Sequence, residues 1–303
     1  MPFSRPSAGA LAVLGVGVCA LIWGTTWYGI TLQLGRVDPV ASIVWRFGLA
    51  ALALFGICAA MRQPLRLTRD QHLAALGQGV FAFSISYSFT YAAEGRVASA
   101  IVAVVFASLT FLNLVLFRVK EGQRAAPTAW GAAVLGVAGV AVLSSGEVLG
   151  AGLDRQAALG IGLALIATTA SAFGNYFAWR GQRAGSAVLP STAWAMAYGA
   201  GLLALYGLAT GVEFTIDPSV RYLGSLIYLA LFGSVIAFGI YFTIARSIGY
   251  AMASYVSALT PPIAMLVSVL LEGARFGWTA VLGLALVLVG QMLLIRSPKP
   301  KTA

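Results

Sequence analysis

The stretch Ala251 to Gly273, AMASYVSALTPPIAMLVSVLLEG, decides how the rest of the chain is read. It is apolar over a length that crosses a bilayer, for which about 20 mainly apolar residues are needed, and it holds two consecutive prolines in its middle. Neither Pro261 nor Pro262 can donate a backbone N–H, so the carbonyls of Ser257 and Ala258 lose their helical partners and a broken helix is expected. Inside a membrane such a break is tolerated where it lines a cavity. An earlier stretch, Val97 to Gly122, VASAIVAVVFASLTFLNLVLFRVKEG, starts on the same small residues and finishes on the same Glu-Gly.

The likeness extends along the chain. Pro39 corresponds to Pro190, Trp23-Gly24 to Phe173-Gly174, Phe89-Thr90 to Phe242-Thr243 and Glu121-Gly122 to Glu272-Gly273, all at an offset close to half the length. Ten segments are apolar enough to span: roughly 9–33, 39–61, 71–93, 97–117, 126–145, 157–180, 187–210, 219–245, 250–271 and 277–295. Asp38-Pro39, Pro127, Pro190 and Asp217-Pro218 supply helix-start chemistry for four of them. The first apolar run is longer than the core of a signal peptide and reads as a retained span.

The expected fold is therefore all-α and integral to the membrane, with ten transmembrane helices in two five-helix repeats, residues 1–150 and 151–303. Five is odd, so the second repeat enters the bilayer inverted, an arrangement typical of alternating-access transporters with a site between the repeats. Basic residues set the orientation. Arg5, Arg62, Arg66, Arg69, Arg118, Lys120, Arg124, Arg180, Arg183, Arg246, Arg296, Lys299 and Lys301 fall on one side, against Arg36, Arg96, Arg155, Arg221 and Arg275 on the other. Both termini are thus expected in the cytoplasm.

Composition excludes several functions. Of 303 residues 60% are hydrophobic and 9% charged, with mean hydropathy +0.90, whereas soluble domains carry about 25% charged residues. The net charge of +10 lies in short loops between apolar runs, so the implied partner is the lipid bilayer and not nucleic acid. Cys19 and Cys58 sit inside apolar runs and suggest neither disulfide nor metal site. His72 is the sole histidine, and no HExxH, GxSxG, Walker loop or Cys/His cluster is present. No enzyme, metal or cofactor is expected.

Leu21-Ile22-Trp23-Gly24 in the first span, Arg46-Phe47 in the second and the Glu-Gly endings of the fourth and ninth resemble the EamA-type drug/metabolite transporter superfamily. The Trp- and Tyr-rich interior is most similar to its aromatic amino-acid exporters of the YddG kind. The resemblance covers nearly the whole chain. It implies a central substrate cavity enclosed by spans 1, 3, 4, 6, 8 and 9, with spans 5 and 10 outside it. Thr110-Phe111 departs from the pattern, standing near where the first repeat would match Pro261-Pro262.

Within those spans, helical spacing picks out faces that combine aromatic and neutral polar groups, as an amphiphilic solute requires. Trp23, Trp27 and Thr31 form one such face. Ser84, Ser88 and Tyr91, with Tyr87 beside them, form a second; Phe106, Thr110 and Asn113 a third; Thr168, Ala172, Asn175 and Trp179 a fourth. Ser234, Tyr241, Ser254 and Ser257 complete the set. The expected substrate-binding residues are Trp23, Trp27, Tyr87, Tyr91, Phe106, Asn113, Asn175, Trp179, Tyr241 and Ser257, with Arg46, Pro261 and Pro262 in gating or electrostatic roles.

Arg46 lies two helical turns beyond Pro39 with no carboxylate in its span. Either it snorkels to the surface or it faces the cavity, where it could attract a substrate carboxylate or hold a gate through Tyr or Asn. Trp45, Trp130, Trp194, Tyr222 and Trp278 fit an interfacial belt. Asn113 and Asn175 could also simply bond across helices. Gly131, Gly136, Gly139, Gly283 and Gly290 suit close helix packing, and sequence sets no oligomeric state. Glu94, Arg96 and Glu272 read as loop charges. With no Asp, Glu or His at mid-depth, facilitated downhill transport, or a proton path lacking a titratable carboxylate, is expected.

The function expected is export of aromatic amino acids and related amphiphilic metabolites from a bacterial cell, by a multi-pass inner-membrane protein working by alternating access. The alternatives are export of other metabolites or drugs on the same fold, or a lipid-handling or scaffold role.

Overall fold

The computed structural model describes residues 8–150, 155–248, 253 and 255–296. Ser254, Arg5, Lys299 and Lys301 lie outside the described residues. The first half comprises α1 (Ala8–Thr31), α2 (Pro39–Ala60), α3 (Arg69–Gln78), a π-helical segment Gly79–Ile85 leading into α4 (Ser86–Glu94), α5 (Ser99–Phe106), α6 (Leu109–Glu121) and α7 (Pro127–Gly150). The second comprises α8 (Arg155–Arg183), α9 (Val188–Thr210), α10 (Val220–Ala230), a π segment Leu231–Ile236 leading into α11 (Ala237–Ile248), α12 (Tyr255–Val267), a π segment Ser268–Glu272, and α13 (Trp278–Ile295).

Among the described residues, seven segments are long and apolar enough to cross a membrane: Leu14–Thr31, Pro39–Ala60, Ser99–Glu121, Pro127–Ser145, Arg155–Arg183, Val188–Thr210 and Val220–Ser247. Leu259–Glu272 and Trp278–Leu293 are apolar but shorter. The run Arg69–Glu94 is helical throughout but more polar, opening on Arg-Asp-Gln-His and carrying Ser84, Ser86 and Ser88 inside.

Local chemistry sets the ends. Asp38 caps α2 by accepting from the Val40 N–H at 2.7 Å, with Pro39 in the first turn. Thr68 and Gln71 form a reciprocal capping box on α3, at 3.0 and 3.4 Å. Ser219 caps α10, and its N–H, which donates to Asp217 at 2.9 Å, is the main reason the Asp217 carboxyl is held below the usual carboxylate range. The repeated Glu-Gly is a helix stop: Gly122 and Gly273 end their segments at φ 65° and 67°, a left-handed cap that favours glycine.

Two expectations about the deciding stretch are revised. The α-helix continues through Pro261 and Pro262; the Thr260 hydroxyl donates to the Val256 carbonyl at 2.7 Å beside them. The interruption falls in the proline-free counterpart. There Ala107 and Ser108 make tight three-residue backbone bonds, and the Ser108 hydroxyl donates to Val105 O at 2.7 Å, separating α5 from α6.

Packing between the halves is reciprocal. α1 lies on α12 and on α10 and α11, while α8 lies on α5 and α6 and on α3 and α4; α2 pairs with α9, and α7 with α13. The last pair crosses at glycines. A Cβ on Gly139 would meet Gly283 O at 2.5 Å and Val287 N at 2.8 Å, and one on Gly290 would meet Ala132 O at 2.6 Å. These glycines therefore let two backbones approach within one chain. Of the residues read as an interfacial belt, Trp278 is highly exposed, but Tyr222 is buried and its hydroxyl meets that of Ser42 at 3.0 Å.

Candidate functional site

A cavity of about 830 Å³ of atom-free space, mouth included, lies where α1, α4, α5, α8, α11 and α12 converge. Its aromatic wall is Trp23, Trp27, Tyr87, Phe106, Phe238 and Tyr241. Polar groups are set among them: Thr26, Arg46, Thr90, Ser171, Asn175 and Ser257. Trp23 packs against Phe238 and Tyr241 with ring centroids 5.0 and 5.2 Å away, and Trp27 against Phe106 at 4.9 Å. The rings thus brace one another as a wall of limited rotameric freedom.

The π segment Leu231–Ile236 positions the polar edge. A π turn frees carbonyls from the α-helical ladder. The Trp23 indole N–H donates to Gly233 O at 3.1 Å, and the Ser234 hydroxyl donates back five residues to Leu229 O at 2.8 Å. Ser234 also accepts from Arg46 Nε at 3.1 Å. Gly233 is needed here, because a Cβ would meet Thr26 Cγ2 at 2.8 Å and Arg46 Nη2 at 3.3 Å. The first half has the same device without the arginine. Ser84 donates to Gly79 O, five residues back, at 3.2 Å and to Gly199 O at 3.0 Å.

Arg46 does not snorkel: it is 1% exposed. Its Nη2 donates to the Tyr87 hydroxyl at 3.4 Å, and its guanidinium lies 4.6 Å from the centroid of the Tyr87 ring and 5.2 Å from that of Phe47. Nη1 has no hydrogen-bond partner among the described residues, and neither has the Trp27 indole N–H. A buried cation held by neutral groups, with donor capacity unspent, favours an incoming anion.

Of the expected binding residues, Trp23, Trp27, Tyr87, Phe106, Asn175, Tyr241 and Ser257 line this cavity, together with Arg46. Three stand elsewhere. Tyr91 is buried with its hydroxyl donating to Gln33 Oε1 at 2.6 Å. Asn113 lies behind Asn175, whose Nδ2 reaches it at 3.5 Å and Tyr241 at 3.3 Å. Trp179 packs on Phe117 and Tyr176 and under the Arg183 guanidinium, 5.0 Å from its ring. Pro261 and Pro262 directly follow the lining residue Thr260 in α12.

Sequence reasoning missed Thr26, Ile30, Thr90, Ser171, Phe238 and Phe242. The signal was present for some. Thr26 and Ile30 continue the Trp23/Trp27 face at i+3 and i+7; Phe238 stands three residues before Tyr241, and Phe242 four after Phe238. Glu94, read as a loop charge, is buried at the end of α4, while Arg96 is exposed.

The model of the EamA-like transporter family matches residues 10–145 and again 158–296. The uncharacterized inner membrane transporter YedA of Escherichia coli (strain K12) is 28% identical over 306 residues, covering 97% of this chain and 94% of its own length. A probable amino-acid metabolite efflux pump of the same organism is 24% identical over 290 residues, covering 93% and 92%. One crystal structure superposes with a TM-score of 0.68 at 19% identity, covering 93% of this chain and 95% of its own, which supports the fold alone.

Proposed function

This chain is a member of the EamA-like transporter family, and we propose that it exports aromatic amino acids and related hydrophobic amphiphilic metabolites. It is a multi-pass protein of the bacterial inner membrane, as its apolar helices and its relatives' descriptions indicate. The observation that carries the substrate reading is a cavity walled by aromatic rings around one buried arginine whose Nη1 has no hydrogen-bond partner among the described residues. A substrate ring packs among Trp23, Trp27, Phe106 and Tyr241, and its carboxylate approaches Arg46. Asn175 and Ser257 receive the amino group. The efflux of amino-acid metabolites named for one relative favours the same chemical class.

Alternating access follows from two inverted repeats, residues 1–150 and 151–303, in the ten-span arrangement with cytoplasmic termini. The paired π segments, the paired Glu-Gly caps and the reciprocal packing of the halves support that reading. Rocking of one repeat against the other opens the cavity to each side in turn, with Pro261 and Pro262 as the hinge of α12. Counterflow of radiolabelled phenylalanine into proteoliposomes preloaded with single unlabelled amino acids tests the proposal. Trans-stimulation by phenylalanine, tryptophan and tyrosine but not glycine or aspartate is expected. Absence of exchange with every aromatic amino acid would remove the substrate assignment.

A further inference from the structure

Among the described residues that line the cavity none is Asp, Glu, Lys or His, so Arg46 brings its one full charge. Nothing in contact with Arg46 offsets that charge. Its partners are the hydroxyls of Ser234 and Tyr87, at 3.1 and 3.4 Å, and the rings of Phe47 and Tyr87, and among the described residues it takes part in no ion pair. Glu94 stands one turn beyond Thr90, at the end of α4 and outside the lining. Cations inside membrane proteins are received by carbonyls that an interrupted helix sets free. Around this cavity such carbonyls are already engaged: Gly233 O accepts from the Trp23 indole at 3.1 Å, Leu229 O from Ser234 at 2.8 Å and Gly79 O from Ser84 at 3.2 Å. The hydroxyls of Thr26 and Thr90 donate to their own helices at 2.9 and 2.8 Å and present neutral lone pairs. Ser257 O differs, because its helical donor is lost at Pro261, and it can accept one N–H.

We infer that the preferred solutes are aromatic monocarboxylates without an ammonium group, N-acylated aromatic amino acids foremost, a narrowing that rests on the reading that Arg46 takes the substrate carboxylate. Charge and donor count both decide it. A monoanion cancels the charge of Arg46. A zwitterionic amino acid does so only by bringing a second cation into the site, so one net positive charge stays buried. Its ammonium carries three donors and meets neutral acceptors alone, and an ion buried without a counter-charge is costly. An acylated nitrogen carries no charge and a single N–H, which Ser257 O accepts while the carboxylate meets Nη1 of Arg46 and the ring packs by Trp23 and Phe106. Discrimination then comes from what the wall lacks as much as from what it offers.

The test is binding to the full chain in detergent at neutral pH, read by tryptophan fluorescence, with four solutes that share one ring: phenylalanine, N-acetylphenylalanine, the methyl ester of N-acetylphenylalanine, and hydrocinnamate, which is phenylalanine without its amino group. N-acetylphenylalanine should bind at least about tenfold more tightly than phenylalanine, the step expected when a buried polar group is left without partners. Hydrocinnamate should also bind more tightly than phenylalanine although it adds no acyl group, and the methyl ester should bind more weakly than its parent acid. In Arg46→Gln the advantage of both monoanions over phenylalanine should disappear. Phenylalanine binding as tightly as the monoanions, with the ester still weak, overturns the proposal and leaves the carboxylate reading of Arg46 intact. An advantage of N-acetylphenylalanine that hydrocinnamate does not share, or that survives in Arg46→Gln, belongs to the apolar acyl group and overturns it too. If the ester binds as well as the acid, or none of the four binds, the carboxylate reading fails and the proposal falls with it. Should Arg46→Gln not fold, the hydrocinnamate and ester comparisons on the wild type decide alone.

Discussion

Replacing Arg46 by Gln separates a substrate-binding arginine from a structural one. Arg46 makes two hydrogen bonds to neutral hydroxyls, those of Ser234 and Tyr87, and stacks on the rings of Phe47 and Tyr87. Its Nη1 is uncommitted among the described residues. A charge-assisted bond from that position to a substrate carboxylate is worth about 1.5–3 kcal/mol. At about 1.4 kcal/mol per decade, losing it raises the KM for phenylalanine by about 10- to 150-fold. Glutamine can replace one of the two internal bonds and does not leave a buried charge, so the fold should survive.

The discriminating assay compares two solutes of the same ring: phenylalanine and its decarboxylated amine. Counterflow of phenylalanine by Arg46→Gln should show the raised KM, while competition by the amine should be unchanged or stronger, because a repelling cation has been removed. Arg46→Lys should fall between, since a point charge cannot serve Ser234, Tyr87 and a ligand in one plane. If both solutes lose affinity equally, Arg46 holds the architecture and not the substrate, and the reasoning is refuted. No effect on either would refute it as well.

Three further outcomes are expected. Trp23→Ala removes the ring that contacts Phe238 and Tyr241 and should lower phenylalanine counterflow at least tenfold, an aromatic contact being worth about 0.5–1.5 kcal/mol beyond its buried area; Trp130→Ala, packed only peripherally against Phe111, should leave it near wild type, and equal losses would remove the site assignment. Gly139→Leu drives a side chain into backbone atoms of α13 and should lower the thermal midpoint of the purified protein, overpacking costing about 1–3 kcal/mol, whereas Gly131→Leu, with open space around it, should not. Pro261→Ala with Pro262→Ala restores two backbone donors to α12; helicity and binding of phenylalanine should persist while the exchange rate falls, and an unchanged rate would exclude these prolines as the hinge.

The helical membrane architecture was legible because apolar run length and helix-stop chemistry are local properties, and the Glu-Gly pairs turned out to be caps with a shared backbone conformation. Much of the cavity was legible for a similar reason: Trp23 and Trp27 sit on an unbroken helix, where spacing of four keeps a face. The misses trace to places where the period changes. Across Gly79–Ile85 the chain takes five-residue bonds, so the cavity face passes from Ala82 to Tyr87 and then Thr90, a first step of five residues instead of four, while a face counted by helical spacing from Ser84 runs beside it through Ser88 and Tyr91. At Ala107–Ser108 the tight turn shifts the register the other way, which leaves Phe106 and Leu109 in the wall and Asn113 behind it. Glu94 was hidden by another limit. Position at the end of a span says how deep a residue lies along its own helix, but burial there depends on whether other elements rise past it. The turn after α1 and the end of α4, joined by the Gln33–Tyr91 bond, and the Ser99–Ser268 contact close over that end, so a residue that counts as loop in one dimension is interior in three.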